Sequence, residues 1–131
     1  ALKLAESLEG LEGVKAVIYP LLKSSPYYDI TNSQFNGKGG GIFTLRLYSK
    51  ERAFAFINQL KYGINITNIG DTKTLVIHPS STIYAHSNEE EQAKAGVYED
   101  LIRVSVGIED IDDLIDDFKS ALDYVNKEFP L

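Results

Sequence analysis

Leu101-Ile102-Arg103-Val104-Ser105-Val106-Gly107 is the stretch on which the fold turns. Its residue types alternate, so an extended backbone puts Ile102, Val104 and Val106 on one face and Arg103 and Ser105 on the other. Directly after it, Asp110 can cap a helix in which Ile111, Leu114, Ile115, Phe118, Leu122 and Val125 form one apolar stripe. Asp112, Asp113, Asp116 and Asp117 then fall on the water side, and the acidic first turn suits the positive end of the helix dipole. A strand with one apolar face, followed by a helix with one apolar stripe, predicts a helix layer lying on a sheet.

The rest of the chain supplies further layers of the same kind. Thr74 to His78 reads as a strand ended by Pro79, preceded by the short extended run Ile64 to Asn68 and a turn at Gly70-Asp71. Ser49 can cap a helix with Ala53, Phe54, Ile57 and Leu60 turned inward and Gly63 as its stop. Ile42 to Tyr48 and Val14 to Tyr19 read as strands, and Leu2, Ala5, Leu8 and Leu11 share one helical stripe stopped by Gly13. Residues 21–40 form an irregular stretch, and Glu89-Glu90-Glu91 is a helix start or a solvated face. The pattern predicts a single α+β domain over residues 1–131, with a mainly antiparallel sheet of four to five strands and helices packed on one face.

Composition removes several function classes. The formal charge of −6, with thirteen basic residues scattered along the chain, argues against a nucleic-acid partner, which needs clustered Lys and Arg. No segment reaches the roughly 18 consecutive apolar residues of a membrane span. Zero cysteines exclude a disulfide framework, a thiolate metal site and a cysteine nucleophile, and favour the cytoplasm. A chain that opens on a helical pattern without Met reads as a portion of something longer.

Few residues carry distinctive chemistry. An arginine in mid-strand needs a partner, and its planar fork suits a carboxylate or a phosphate. Arg103 therefore either pairs with one of the nineteen acidic residues or is kept for a ligand. Gly37-Lys38-Gly39-Gly40-Gly41 lacks phosphate-loop spacing and precedes a strand, so it reads as a close-packed entry to that strand. His78 and His86 stand eight apart without a helical pairing, which speaks against zinc; His78 reads as a hydrogen-bonded strand end. The acidic run Glu109 to Asp117 lacks the central glycine of a calcium loop. Asn65-Ile66-Thr67 matches a glycosylation acceptor only as a short, common motif, and no catalytic triad order or nucleophile elbow is present.

Two long motifs point further. Asn68-Ile69-Gly70-Asp71-Thr72-Lys73-Thr74-Leu75-Val76-Ile77-His78-Pro79-Ser80-Ser81-Thr82 resembles a signature of O-acetylhomoserine sulfhydrylases. Leu101 to Asp110 resembles one shared across the Cys/Met-metabolism enzymes that depend on pyridoxal phosphate (PLP). Tyr19-Pro20-Leu21, Pro26-Tyr27-Tyr28 and Gly39-Gly40-Gly41-Ile42-Phe43 are similar to the C-terminal domain of that family, so the resemblance spans essentially the whole chain.

The resemblance implies the small C-terminal domain of an aspartate-aminotransferase-type (fold type I) enzyme, with the lysine domain that holds PLP lying upstream and absent from this sequence. It implies no catalytic, cofactor-binding or metal residue here, and a fragment inactive by itself. Arg103 matches the arginine that clamps the substrate α-carboxylate, and Asn68 the position that supports it; Ser105, Thr82 and Glu109 match supporting positions. The intact protein would carry out γ-replacement on O-acetylhomoserine with sulfide or a thiol, joined to its own N-terminal domain and assembled as a homotetramer. Asn68, where cystathionine-forming relatives often have serine, together with Gly70-Asp71-Thr72-Lys73-Thr74, favours this over cystathionine γ-synthase, cystathionine γ-lyase or methionine γ-lyase. A stand-alone amino-acid-binding regulatory module is the reading from another class. Ile83-Tyr84 departs from the family's usual Thr-His, removing a hydroxyl from the substrate side.

Overall fold

The computed structural model describes all 131 residues. Elements follow in the order α1 (Leu2–Leu8), β1 (Ala16–Ile18), α2 (Tyr28–Gln34), β2 (Ile42–Arg46), α3 (Lys50–Gln59), β3 (Ile64–Asn65), β4 (Leu75–Ile77), α4 (Glu89–Lys94), β5 (Leu101–Ser105) and α5 (Ile111–Glu128), with a 3-10 turn at Pro79–Ser81. The five strands lie in the order β1-β2-β5-β4-β3. β5 is central and antiparallel to both β2 and β4, and only the outer pair β3 and β4 runs parallel. The α+β class and the mainly antiparallel sheet agree with the sequence expectation. The parallel pair arises because residues 66–74 carry the chain back to the start of β4 instead of closing a hairpin.

One face of the sheet is dry. Val17, Phe43, Leu45, Val76, Ile102 and Val104 meet Leu4 and Leu8 of α1, Ala53, Phe56 and Ile57 of α3, and Leu114, Phe118, Leu122 and Val125 of α5 in one core. Phe56 and Phe118 stand edge to face with centroids 5.5 Å apart, which favours the α3–α5 crossing beyond area burial. Ser49 and Asp110 cap α3 and α5 through Arg52 N and through Asp112 and Asp113 N, as their sequence positions predict.

Four details differ from the sequence expectation. Phe54 is an exposed residue lying edge-on to His78, and Phe56 takes the inward place, because the buried stripe of α3 runs Ala53, Phe56, Ile57. Asp117 is buried: its two carboxylate oxygens accept from Lys61 N at 2.8 Å and Tyr62 N at 2.9 Å, holding the chain as it leaves α3. α1 stops at Leu8, where Glu9 turns extended before Gly10 at φ 78°. The irregular stretch contains α2, which buries only Thr31.

Arg52 is the least anticipated core residue. It is 3% exposed and has no acidic partner, yet every edge of its guanidinium is used. It donates to Leu47 O at 2.9 Å, Asn126 Oδ1 at 2.6 Å, Gly13 O at 3.3 Å, and to the carbonyls of Val125 and Phe129 at the end of α5. Desolvation holds its pKa below the ordinary guanidinium value, and the negative end of the α5 dipole compensates the buried charge.

Two stability outcomes follow from these contacts. Arg52→Ala leaves several buried carbonyls unpaired and should lower stability by about 2–4 kcal/mol in urea unfolding; a midpoint equal to that of the parent would refute the assignment. Gly107→Ala would drive a methyl into Thr72 O, the Lys73 backbone and the Glu109 carboxylate. Because two of these are backbone, the cost should be about 1–3 kcal/mol, read in the same titration.

Candidate functional site

The molecule has three arginines, at 46, 52 and 103, and their surroundings separate them. Arg46 is committed to Asp100, at 2.9 Å from both Nε and Nη2, and stacks on Tyr98 with its guanidinium carbon 3.9 Å from the ring centroid. Arg52 is consumed by the core carbonyls. Arg103 has one contact, from Nη2 to Asn68 O at 3.2 Å, and no carboxylate lies within 4.0 Å of it. The intramolecular ion pair that the sequence left open is thus not formed. A half-buried guanidinium with most of its N–H donors unused can take a planar anion through two parallel hydrogen bonds.

The position of Arg103 follows from the strand period. Ile102 and Val104 are in the core, so Arg103 leaves on the face away from α1, α3 and α5. It sits between Thr44 of β2 and Ile77 of β4 in the ladder. Ser105, two residues on, shares that face but is 2% exposed, because the loop after β3 folds over it.

That loop is pinned at several points. Ser105 Oγ accepts from Gly70 N at 3.0 Å, and Ile108 N donates to Thr72 O at 2.9 Å. Glu109 accepts from Thr74 N and from Thr74 Oγ1, both at 2.8 Å, while Gly107 N donates to Thr74 Oγ1 at 2.9 Å. Asp71 caps its own turn through Lys73 N, which holds the Asp71 pKa below the usual carboxylate value. Asn68 is carried on this loop, with its Oδ1 accepting from Ile69 N at 2.9 Å and its carbonyl facing Arg103. The structure therefore gathers Arg103 and Asn68 into one place and puts Ser105 and Glu109 directly behind it.

Thr82 is placed elsewhere. Its hydroxyl donates to His78 O at 2.8 Å, and it borders a recess of about 130 Å³ beside Phe54, Ile57 and Asn58, on the α3 side. His78 is the hydrogen-bonded strand end that its position suggests, with ring nitrogens 2.8 Å from Ser81 Oγ and 2.6 Å from Glu99 O. Ile83 is exposed, and Tyr84 packs back through its N–H on Pro79 O. The glycine run is a packed entry to β2: Tyr19 donates to Gly40 O at 2.8 Å and its ring leaves no room for a side chain at Gly39. Burial raises the Tyr19 pKa. No group of three or more His, Asp or Glu residues is arranged to hold a metal, and no helix is long and apolar enough to cross a membrane.

Two residues in or next to the strands around the site were not singled out by the sequence, one immediately before β5 and one opposite Arg103. Asp100, with one oxygen on Arg46 and the other on Tyr48 N at 3.0 Å, fixes the turn out of β2, where Tyr48 adopts φ 77°. Thr44 faces Arg103 across the ladder. Its alternation with Phe43 and Leu45 puts it on the open face, but no local signal gives the strand register.

The family model of the Cys/Met metabolism PLP-dependent enzymes matches residues 1–123. The O-acetyl-L-homoserine sulfhydrylase of Corynebacterium glutamicum is 41% identical over 122 residues, covering 92% of this chain and 28% of that protein. The L-methionine gamma-lyase of Treponema denticola is 38% identical over 128 residues, covering 97% of this chain and 32% of that protein. Among solved structures, a Campylobacter jejuni O-acetylhomoserine (thiol)-lyase superposes with a TM-score of 0.89 at 35% identity, over 94% of this chain and 30% of that one. A cystathionine gamma synthase of Xanthomonas oryzae pv. oryzae, in complex with aminoacrylate and cysteine, gives 0.89 at 30% identity, over 97% and 33%. The chain thus spans about three-tenths of the length of these relatives. With a family model over most of its residues and this fold, the chain belongs to the Cys/Met metabolism PLP-dependent enzyme family.

Proposed function

We propose that this chain is the substrate-recognition domain of a longer PLP-dependent enzyme that replaces or eliminates the γ substituent of an amino acid. O-acetylhomoserine is its favoured substrate, and sulfide or a thiol the incoming group. The observation that carries this reading is Arg103: a half-buried guanidinium without an acid, held on the sheet face opposite the core helices against Asn68 O. Arg103 binds the α-carboxylate and so fixes which end of the substrate faces the reacting centre. Asn68 sets the guanidinium plane, while Ser105 and Glu109 keep the Asn68 loop in place. The relatives support this reading, since a sulfhydrylase and an L-methionine gamma-lyase match the sequence and a cystathionine gamma synthase shares the fold.

The residues present do not fit the cofactor's covalent anchor. All ten lysines are exposed, whereas a Schiff-base lysine is activated by desolvation or a neighbouring cation. Bond making at the γ carbon therefore belongs to another part of the protein, the upstream domain, with the assembled enzyme a cytoplasmic homotetramer.

Two experiments test this. In the parent enzyme, Arg103→Ala should lower kcat/KM for O-acetylhomoserine by about 10²- to 10³-fold, and Arg103→Lys by less, because an ammonium keeps the charge without the fork. Thermal unfolding of the same variants should stay near that of the parent, and unchanged kinetics would refute the role. The 131-residue chain mixed with PLP should develop no visible internal-aldimine band, and the appearance of one would place a cofactor lysine here.

A further inference from the structure

We infer that Thr44 is a second donor of the same site, hydrogen-bonding the oxygen of a bound carboxylate that is turned away from Asn68. This rests on the carboxylate reading of Arg103 and adds a specificity residue on a different strand. Val106 N donates to Gly41 O and Leu47 N to Asp100 O, so the odd-numbered residues of the β2 segment occupy the hydrogen-bonded pairs with β5. Thr44 and Arg103 therefore form a narrow, non-hydrogen-bonded pair, in which facing Cα atoms are about 4.5 Å apart and side chains are closest.

The two flanks of Arg103 differ in chemistry. On the β4 side stand Ile77, 1% exposed, and the carbonyl of Asn68, whose loop crosses from β3 to reach Ser105. The neutral Asn68 carbonyl already accepts the Nη2 proton and, like a carboxylate, has only lone pairs to offer, so it gives a carboxylate no donor and repels it weakly on that side. The carboxylate therefore lies towards β2, where Thr44 faces the arginine. The hydroxyls of Thr31, Thr72, Thr74 and Thr82 are engaged within the chain, and of the two threonines without a side-chain hydrogen bond, exposed Thr67 and half-buried Thr44, Thr44 is the one paired with Arg103 in the ladder. Its proton is free for a ligand, and a β-branched side chain in a strand holds its few rotamers firmly.

The test uses the parent holoenzyme with O-acetyl-L-homoserine. Thr44→Val keeps the shape and removes the hydroxyl, and should raise KM about tenfold, with the larger part of the loss in KM rather than in kcat. Thr44→Ser restores a donor and should bring KM back to within about threefold of the parent. Thr44→Ala repeats the loss in a smaller side chain, and thermal midpoints check that all three fold. If Arg103→Lys raises KM and Thr44→Val and Thr44→Ala do not, Thr44 is overturned and the carboxylate site stands. If none of them moves KM, both readings fall.

Discussion

The two-faced character of β5 constrains everything around it. Its position between β2 and β4 leaves it no free edge, and its alternation sends Ile102 and Val104 into the core while Arg103 leaves on the opposite side. A slip of one residue would bury a guanidinium beneath α5 and expose two core residues, a combination that costs several kcal/mol in lost apolar burial and unpaired charge. The register is thereby fixed by the same residues that build the site. Packing on one face dictates where the cation points on the other.

The second constraint is the loop after β3. Its backbone polar groups would be free to wander, but Ser105, Glu109, Gly107 and Ile108 all engage it from the end of β5 and the turn that follows. Every one of these anchors lies within six residues of Arg103. The strand and the turn after it therefore supply the arginine and also the fixings of the loop that supplies its neighbour, which couples the geometry of Asn68 to that of Arg103. Gly107 is required because the loop backbone passes where a Cβ would stand.

Much of this was legible in the chain, and the exceptions share a cause. Strand alternation at 101–106, the caps at Ser49 and Asp110, and the α5 stripe are local signals, and the structure follows them. Asp117 and Arg52 were misjudged or missed because a charged residue's burial depends on distant partners: Asp117 needs two amides some 55 residues away, and Arg52 needs the last turn of α5. Phe54 and Phe56 both fit a helical pattern, and only the docking of α5 selects the second. At the site, Arg103 stood out as a mid-strand arginine, yet the sequence could not say whether one of nineteen acids would reach it. Thr44 was invisible for the related reason that cross-strand register is a tertiary fact.

The three arginines differ in what folding gives them. Folding has satisfied Arg52 with neutral carbonyls deep in the core and Arg46 with Asp100 and an aromatic face, so the chain does not lack the means to occupy a guanidinium. At Arg103 it withholds them, offering one neutral carbonyl at 3.2 Å and an apolar neighbour in Ile77. An uncompensated cation on a half-covered sheet face contributes little to stability, since exposed charges interact weakly with solvent-screened neighbours. Under the proposed role its worth lies in the bound state, because a charge pair strengthens as water leaves and the local dielectric falls. A half-covered face of this kind is what the proposed anion site requires, and the relatives, some three times the length of this chain, have additional polypeptide beyond the part it matches.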